Sequence, residues 1–418
     1  MSNSKYAEIV RWSRVSLVFL LIIAVIGALL RGASFLQLPF SYEHLRHSHS
    51  HVAFQGWIYT LLVVILTHEY IPRQKIKSHK YQWLIGMTCL VIVGILVSFA
   101  LQGYAFFSIL FSSLFQLLSY WFTYRFFIDV EKTGPHVLSL KWIKTGLWLG
   151  IVSSIAPWFI GVVSAKGMAG TELYHALIYF FLHFQYNGWF VFVAIGLFYS
   201  FIERSGIKLD IKANNRFYYL WLLAVVPAYG LSLLGMSFSD WARVPAAIAA
   251  ILQGMALVYF VPTSLSIYQL EFKQKSSWVR CLLLISFFSF LLKTMLQGIS
   301  VLPQMKELAF FSRNIVMAFM HLSLIGVLTF FFLCWLLIKK WIPENSLSKV
   351  GVLLIVSGFL STECILVLSG LGWWHPYFAL FILSGIMALG IFLLLIATFF
   401  KPTLLDLQEP HAKPPAQP

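Results

Sequence analysis

Histidines cluster where the sequence enters its second long apolar run. In the stretch HLRHSHSHVAFQGW, four histidines (His44, His47, His49 and His51) fall within eight residues and lead directly into apolar residues. Imidazole is a common ligand of transition metals. On a helix, residues four apart share a face, so His47 and His51 point together while His49 points away. Because His51 enters the apolar run, we predict that it is a buried metal ligand, with His47 as a second candidate. Unliganded imidazoles at the membrane interface are the alternative.

Two further histidines lie deep inside later apolar runs. His321, in AFMHLSLIGVLTFFF, is the only strongly coordinating side chain in the middle of its run. Neutral imidazoles from two helices are the usual axial ligands of a low-spin haem, and the pair His51 and His321 meets that need. His183, close to Gln185 and Asn187, is predicted to mark a residual metal position. A core histidine bonded to a neighbouring helix is the alternative for His321.

Charged residues within apolar runs are also functional candidates, because an ionisable group in a bilayer costs several kcal/mol. Lys293 either extends to the interface or pairs with Glu363 or with a haem propionate. Arg313, two turns before His321, is a further candidate partner for a propionate. We therefore predict Lys293 and Arg313 as cofactor-binding residues.

The composition places these residues in a membrane protein. Of 418 residues, 60% are hydrophobic and only 11% are charged, outside the range of soluble globular proteins. The net charge of +15 is spread over short loops, so we expect contact with the lipid bilayer and no nucleic-acid partner. All four cysteines lie in apolar segments and are interpreted as packing residues.

A membrane-spanning helix needs about 20 apolar residues, and runs of that length predict an all-α membrane protein with twelve transmembrane helices. They lie near residues 14–34, 47–70, 81–101, 104–126, 142–164, 172–202, 217–237, 243–269, 278–300, 308–338, 349–369 and 375–399.

The distribution of Lys and Arg predicts the orientation of this bundle. Most of the 30 basic residues lie in the inner segments if the N-terminus is inside, so both termini are predicted to be cytoplasmic. The first apolar run lacks a clear cleavage site and is expected to be retained as a helix. We predict one domain over 1–400, a disordered cytoplasmic tail over 401–418, and no convincing internal repeat. Multi-pass insertion in a bacterial inner membrane is the expected localisation.

Twelve helices with histidines on helices 2, 6 and 10, in the outer half of the bundle, resemble the catalytic subunit I of haem-copper oxidases. The segments HVAFQGW and FMHLSLIG are similar to those around the two low-spin haem ligands of that family. The resemblance implies a subunit I-like bundle with one haem b held by His51 and His321. His183 matches the position of the family's copper ligand on helix 6.

The chain also departs from that family. The stretch VPAYGLSLLGMSFSDW contains no histidine where helix 7 of the family supplies two copper ligands, and Phe319 replaces a ligand of the oxygen-binding haem. Copper is therefore expected to be absent or incompletely ligated, and four-electron reduction of oxygen is not implied. The pattern is also similar to the NnrS group of haem-containing membrane proteins linked to nitric oxide stress.

These features predict a haem b protein for electron transfer or for redox chemistry linked to oxygen or nitric oxide. A quinol or a cytochrome is the expected electron donor, and other respiratory subunits are candidate partners. A twelve-helix transporter is one alternative, which requires related halves and broken helices near the midplane. A cofactor-free scaffold or assembly subunit of a respiratory complex is the other.

Overall fold

The computed structural model describes residues 3–76, 80–130, 137–205 and 210–400. Within these ranges the chain is helical and contains no strand. Twelve helices in the described part are long and apolar enough to cross a membrane, in agreement with the prediction. The protein is therefore an α-helical, multi-pass membrane protein. The tail predicted over 401–418 lies outside the described residues.

The membrane-spanning helices are numbered in chain order. They are α1 Tyr6–Gly32, α2 Tyr42–Tyr70, α3 Lys80–Gln102, α4 Phe106–Asp129, α5 Val137–Ala165, α6 Glu172–Ser205, α7 Ile211–Leu233, α8 Ser239–Phe272, α9 Ser277–Ile299, α10 Arg313–Ile338, α11 Ser346–Gly370 and α12 Tyr377–Ala397.

Two of these helices begin at positions that differ from the prediction, and both differences affect the histidines. The second helix starts at Tyr42, before the histidine cluster, because polar residues continue the helix beyond its apolar part. The tenth starts at Arg313, after Ser312 adopts an extended backbone (ψ 102°). His49 and His321 therefore lie seven and eight residues into their helices, about 11 and 12 Å from the first residue.

Helices α2, α6 and α10 form the centre of the bundle. Their most apolar stretches are 83%, 83% and 78% buried, whereas those of the other membrane-spanning helices are 28–44% buried. Each central helix also contains a π-helical turn, at Ala53–Tyr59, His183–Phe190 and Leu322–Thr329. Such turns are rare and are frequent at functional sites. The central trio thus recurs at every fourth helix.

The same recurrence is visible in the sequence around each π-helical turn. Each central helix has a histidine five residues before a glycine, and each glycine is packed against the preceding helix. The pairs are His51 and Gly56, His183 and Gly188, and His321 and Gly326, and the glycines contact Phe19, Leu149 and Ser289. These contacts lie on α1, α5 and α9, so the bundle contains three related groups of four helices. The sequence analysis did not detect this repeat, because only two residue types are shared over a short stretch.

The central helices are tied together at two levels. Trp57 Nε1 donates a hydrogen bond to Thr329 Oγ1 at 2.9 Å, which joins α2 to α10 within their π-helical turns. Near the ends of the same helices, Glu69 forms ion pairs with Arg204 and with Lys339, the latter at 3.1 Å. These contacts fix the spacing of the walls that carry the histidines.

Candidate functional site

A cavity of about 780 Å³ lies between α1, α2, α10, α11 and α12. Its volume falls in the range of small-molecule and cofactor sites, about 300–1,000 Å³. Most of its lining is apolar, including Met317 and Met320 from α10 and Met387 from α12. Two imidazoles also line it, from His49 and His321. The cavity therefore combines apolar walls with nitrogen donors from two central helices.

His49 reaches the cavity beside a glycine of α1. A Cβ atom at Gly27 would lie 3.1 Å from Cε1 of His49, so the missing side chain provides the space for the ring. The Nδ1 atom of His49 is buried and makes no hydrogen bond. A buried polar atom without a partner costs about 1–3 kcal/mol. The protein tolerates that cost at this ring, which is a typical property of a ligand-binding side chain.

His321 faces the cavity from the opposite wall. Its side chain is 29% exposed although it belongs to one of the most buried helices. Its Nδ1 atom lies 3.4 Å from Oε1 of Glu363 on α11, and that oxygen makes no hydrogen bond. His49 and His321 lie close enough to interact electrostatically. Two imidazoles at similar depth can thus act on one ligand between them.

Three guanidinium groups, from Arg31, Arg46 and Arg313, line the same cavity. Arg313 donates a hydrogen bond to the Tyr42 hydroxyl, also in the lining, whereas Nη1 of Arg31 is buried without a hydrogen-bond partner. Arg31 also interacts electrostatically with Glu363. Guanidinium groups form strong, bidentate hydrogen bonds with carboxylates. The position of Arg313 agrees with a role toward an anionic group, and sequence reasoning did not identify Arg31 or Arg46.

The structure corrects the choice of His51. Its ring stacks on Phe99 of α3 at a centroid distance of 4.2 Å, and Nε2 lies 3.1 Å from the Tyr104 hydroxyl. His47 shares this face of α2, as predicted, with its ring 4.7 Å from Tyr104. Neither ring lines the cavity. The face opposite to both, which carries His49, is the one that meets α10 across the cavity.

His183 and Lys293 lie in a separate, closed cluster, 1% and 2% exposed. Nε2 of His183 donates to the Val225 carbonyl at 2.8 Å, and Nδ1 accepts from the Asn187 amide at 3.2 Å. Lys293 donates to the side-chain oxygens of Asn187 and Gln297. Both nitrogens of His183 are engaged, and Lys293 contacts neither the cavity nor Glu363. The expected roles of Lys293 in cofactor binding and of His183 in metal binding do not match this geometry.

Among the described residues, no group of three or more His, Cys, Asp or Glu side chains is placed to hold a metal ion. Two facing imidazoles instead suit a metal whose other ligands come with it. A porphyrin supplies four nitrogens and leaves two axial positions for protein ligands. The residues of the cavity, including the arginines at its edge, fit a haem.

Comparisons with known proteins do not assign the chain. A scan against models of protein families finds no match, and a search of curated proteins finds no significantly similar sequence. The function is therefore inferred from the chemistry of the cavity.

Proposed function

We propose that this protein is a membrane cytochrome that binds one haem b in the cavity, with His49 and His321 as axial ligands. The observation that carries the proposal is the presence of two imidazoles from facing helices in one cavity of about 780 Å³. When bound, the haem supplies one-electron redox chemistry. We propose a location in the bacterial inner membrane, with both termini in the cytoplasm and the cavity near the outer surface.

Each part of the cavity has a role in this proposal. The two imidazoles hold the iron, and the apolar side chains of α1, α10 and α12 contact the flat faces of the macrocycle. Arg31 and Arg313 provide charge-assisted hydrogen bonds for the two propionates. The buried nitrogens of His49 and Arg31 that lack partners gain them or become useful in this arrangement. The apolar lining also excludes water from the iron ligands.

The placement of the ligands on α2 and α10 supports a relationship to the haem-copper oxidase subunit I superfamily. In this proposal His49 takes the place that the sequence resemblance gave to His51. The enclosed ring of His183 supports a protein without a complete copper site and without full terminal oxidase activity. Electron transfer from a quinol or a cytochrome, within or beside a respiratory complex, is the reaction that these ligands favour.

The helix arrangement favours this proposal over a transporter. A transporter of this size typically has two related halves, whereas here three groups of four helices share a histidine, a glycine and a π-helical turn. A cofactor-free scaffold has no need of two unsatisfied groups facing a cavity. The cytochrome is therefore the function that accounts for most of the observations.

A reduced-minus-oxidised optical spectrum of the purified protein tests the proposal. We expect low-spin haem bands in the wild type and in His51→Ala, whose altered ring lies outside the cavity. His49→Ala and His321→Ala should both lose the low-spin spectrum, because each removes one axial ligand. A folded wild type that carries no haem would refute the proposal and favour the scaffold.

A further inference from the structure

We propose that the two axial histidines are unequal: His321 is the permanent ligand and His49 is exchangeable, so that a neutral diatomic gas binds in place of His49. This inference rests on the proposed haem site. In the exchange, the bond from His49 to the iron breaks and the gas donates a lone pair to the vacated position. No electron is transferred in this step, and His49 keeps its nitrogen lone pair.

The first support is the carboxylate beside His321. A metal-bound imidazole normally donates its second N–H to a carboxylate or a carbonyl, which orients the ring and strengthens the bond to the metal. Glu363 is placed for this role, with Oε1 3.4 Å from Nδ1 of His321 and no other hydrogen bond to that oxygen. The side chain of Glu363 is 16% exposed, so water competes little for it. Arg31 on α1 extends this set of interacting charges.

The second support is the absence of such a partner at His49. Its Nδ1 atom is buried and makes no hydrogen bond within the described structure. His49 can therefore leave the metal without breaking a hydrogen bond of its ring nitrogen. It also lies in the part of α2 before the π-helical turn, where Arg46 and Ser50 are exposed. Its anchorage is weaker than that of His321 in both respects.

The third support is the surroundings of the His49 ring. Ala24 and Gly27 of α1 and Ala53 of α2 line the cavity on this side. Small apolar side chains leave room for the ring to move aside, and they favour a neutral ligand over an ion. A diatomic gas such as nitric oxide or carbon monoxide has two atoms in place of a five-membered ring. The position that His49 vacates is therefore large enough for it.

Carbon monoxide is the probe for this asymmetry, added to the dithionite-reduced protein in detergent. His49→Ala should retain haem and bind CO faster than the wild type by about tenfold or more, because no ligand must leave first. His321→Ala should lose most of its haem. Glu363→Gln should lower haem affinity about tenfold, the usual effect of removing such a partner. His51→Ala is the matched control and should behave as the wild type.

A second variant keeps both ligands in place. Gly27→Ala puts a methyl group 3.1 Å from Cε1 of His49 and should accelerate CO binding without changing the haem content. Retention of haem and CO binding in His321→Ala, with loss of haem in His49→Ala, would reverse the assignment. Equal behaviour of the two variants, or no effect of Gly27→Ala on CO binding, would also overturn it. These outcomes leave the haem site intact, whereas a wild type without haem overturns both proposals.

Discussion

His183 and His321 occupy equivalent positions on α6 and α10, yet one ring is enclosed and the other faces a cavity. Around His183, the Val225 carbonyl and the Asn187 amide satisfy both ring nitrogens. Around His321, the neighbouring carboxylate of Glu363 makes no hydrogen bond with Oε1. Buried polar groups are normally satisfied, and unsatisfied ones require an explanation. The comparison separates a histidine that stabilises the fold from one that is available to a ligand.

One sequence position distinguishes the three groups of helices. Two residues before the repeated histidine, α2 has His49, α6 has Phe181 and α10 has Phe319. His49 and His321 line one cavity, so this position of α2 supplies the second imidazole. The pocket between α6, α8, α9 and α10 is only about 60 Å³ and is lined by aromatic and aliphatic residues such as Phe198 and Phe290. A phenylalanine at this position goes with a filled interior, and a histidine goes with a cofactor-sized one.

The sharpest test of the comparison replaces each histidine by phenylalanine. His321→Phe should abolish haem binding, because it removes the ligand that Glu363 supports. His183→Phe should retain the haem spectrum and lower the free energy of unfolding by about 1–3 kcal/mol, since it leaves the Val225 carbonyl and the Asn187 amide unpaired. Haem-to-protein ratio and thermal unfolding measure the two effects. Loss of haem from folded His183→Phe would show that the closed cluster is also part of the cofactor site.

A smaller effect is expected from the charge at the edge of the cavity. Arg31→Gln removes a buried guanidinium that has an unsatisfied Nη1, and it should weaken haem binding by about 1.5–3 kcal/mol, the usual value of a hydrogen bond to a charged group. Transfer of haem to apomyoglobin measures this loss. Arg243→Gln is the control, because Arg243 pairs with Asp240 on α8, away from the cavity. Equal haem transfer from both variants would remove Arg31 from the site.

The twelve helices were predictable because bilayer thickness sets the length of an apolar run. The face of α2 that carries the ligand was not, since it depends on which neighbours pack on each side. One signal existed: His49, Ala53 and Trp57 are spaced four residues apart and all line the cavity, so they form one stripe. The approach of Glu363 to His321 joins two different helices and leaves no local pattern. Long-range contacts of this kind also decided that Lys293 pairs with Asn187.

The repeated glycines give the last and smallest test, which asks whether the three groups of helices are equivalent in packing. A Cβ atom at Gly326 would lie 2.7 Å from the Ser289 hydroxyl oxygen, so Gly326→Ala should cost about 1–3 kcal/mol of stability through overpacking. Gly188→Ala, with the nearest contact at 3.1 Å to Leu149, should cost less. Gly254→Ala is the control, since no atom lies within 4 Å and alanine favours the helix. Thermal unfolding in detergent ranks the three variants. If Gly326→Ala is as stable as Gly254→Ala, the close approach of α9 and α10 does not constrain the wall that carries His321.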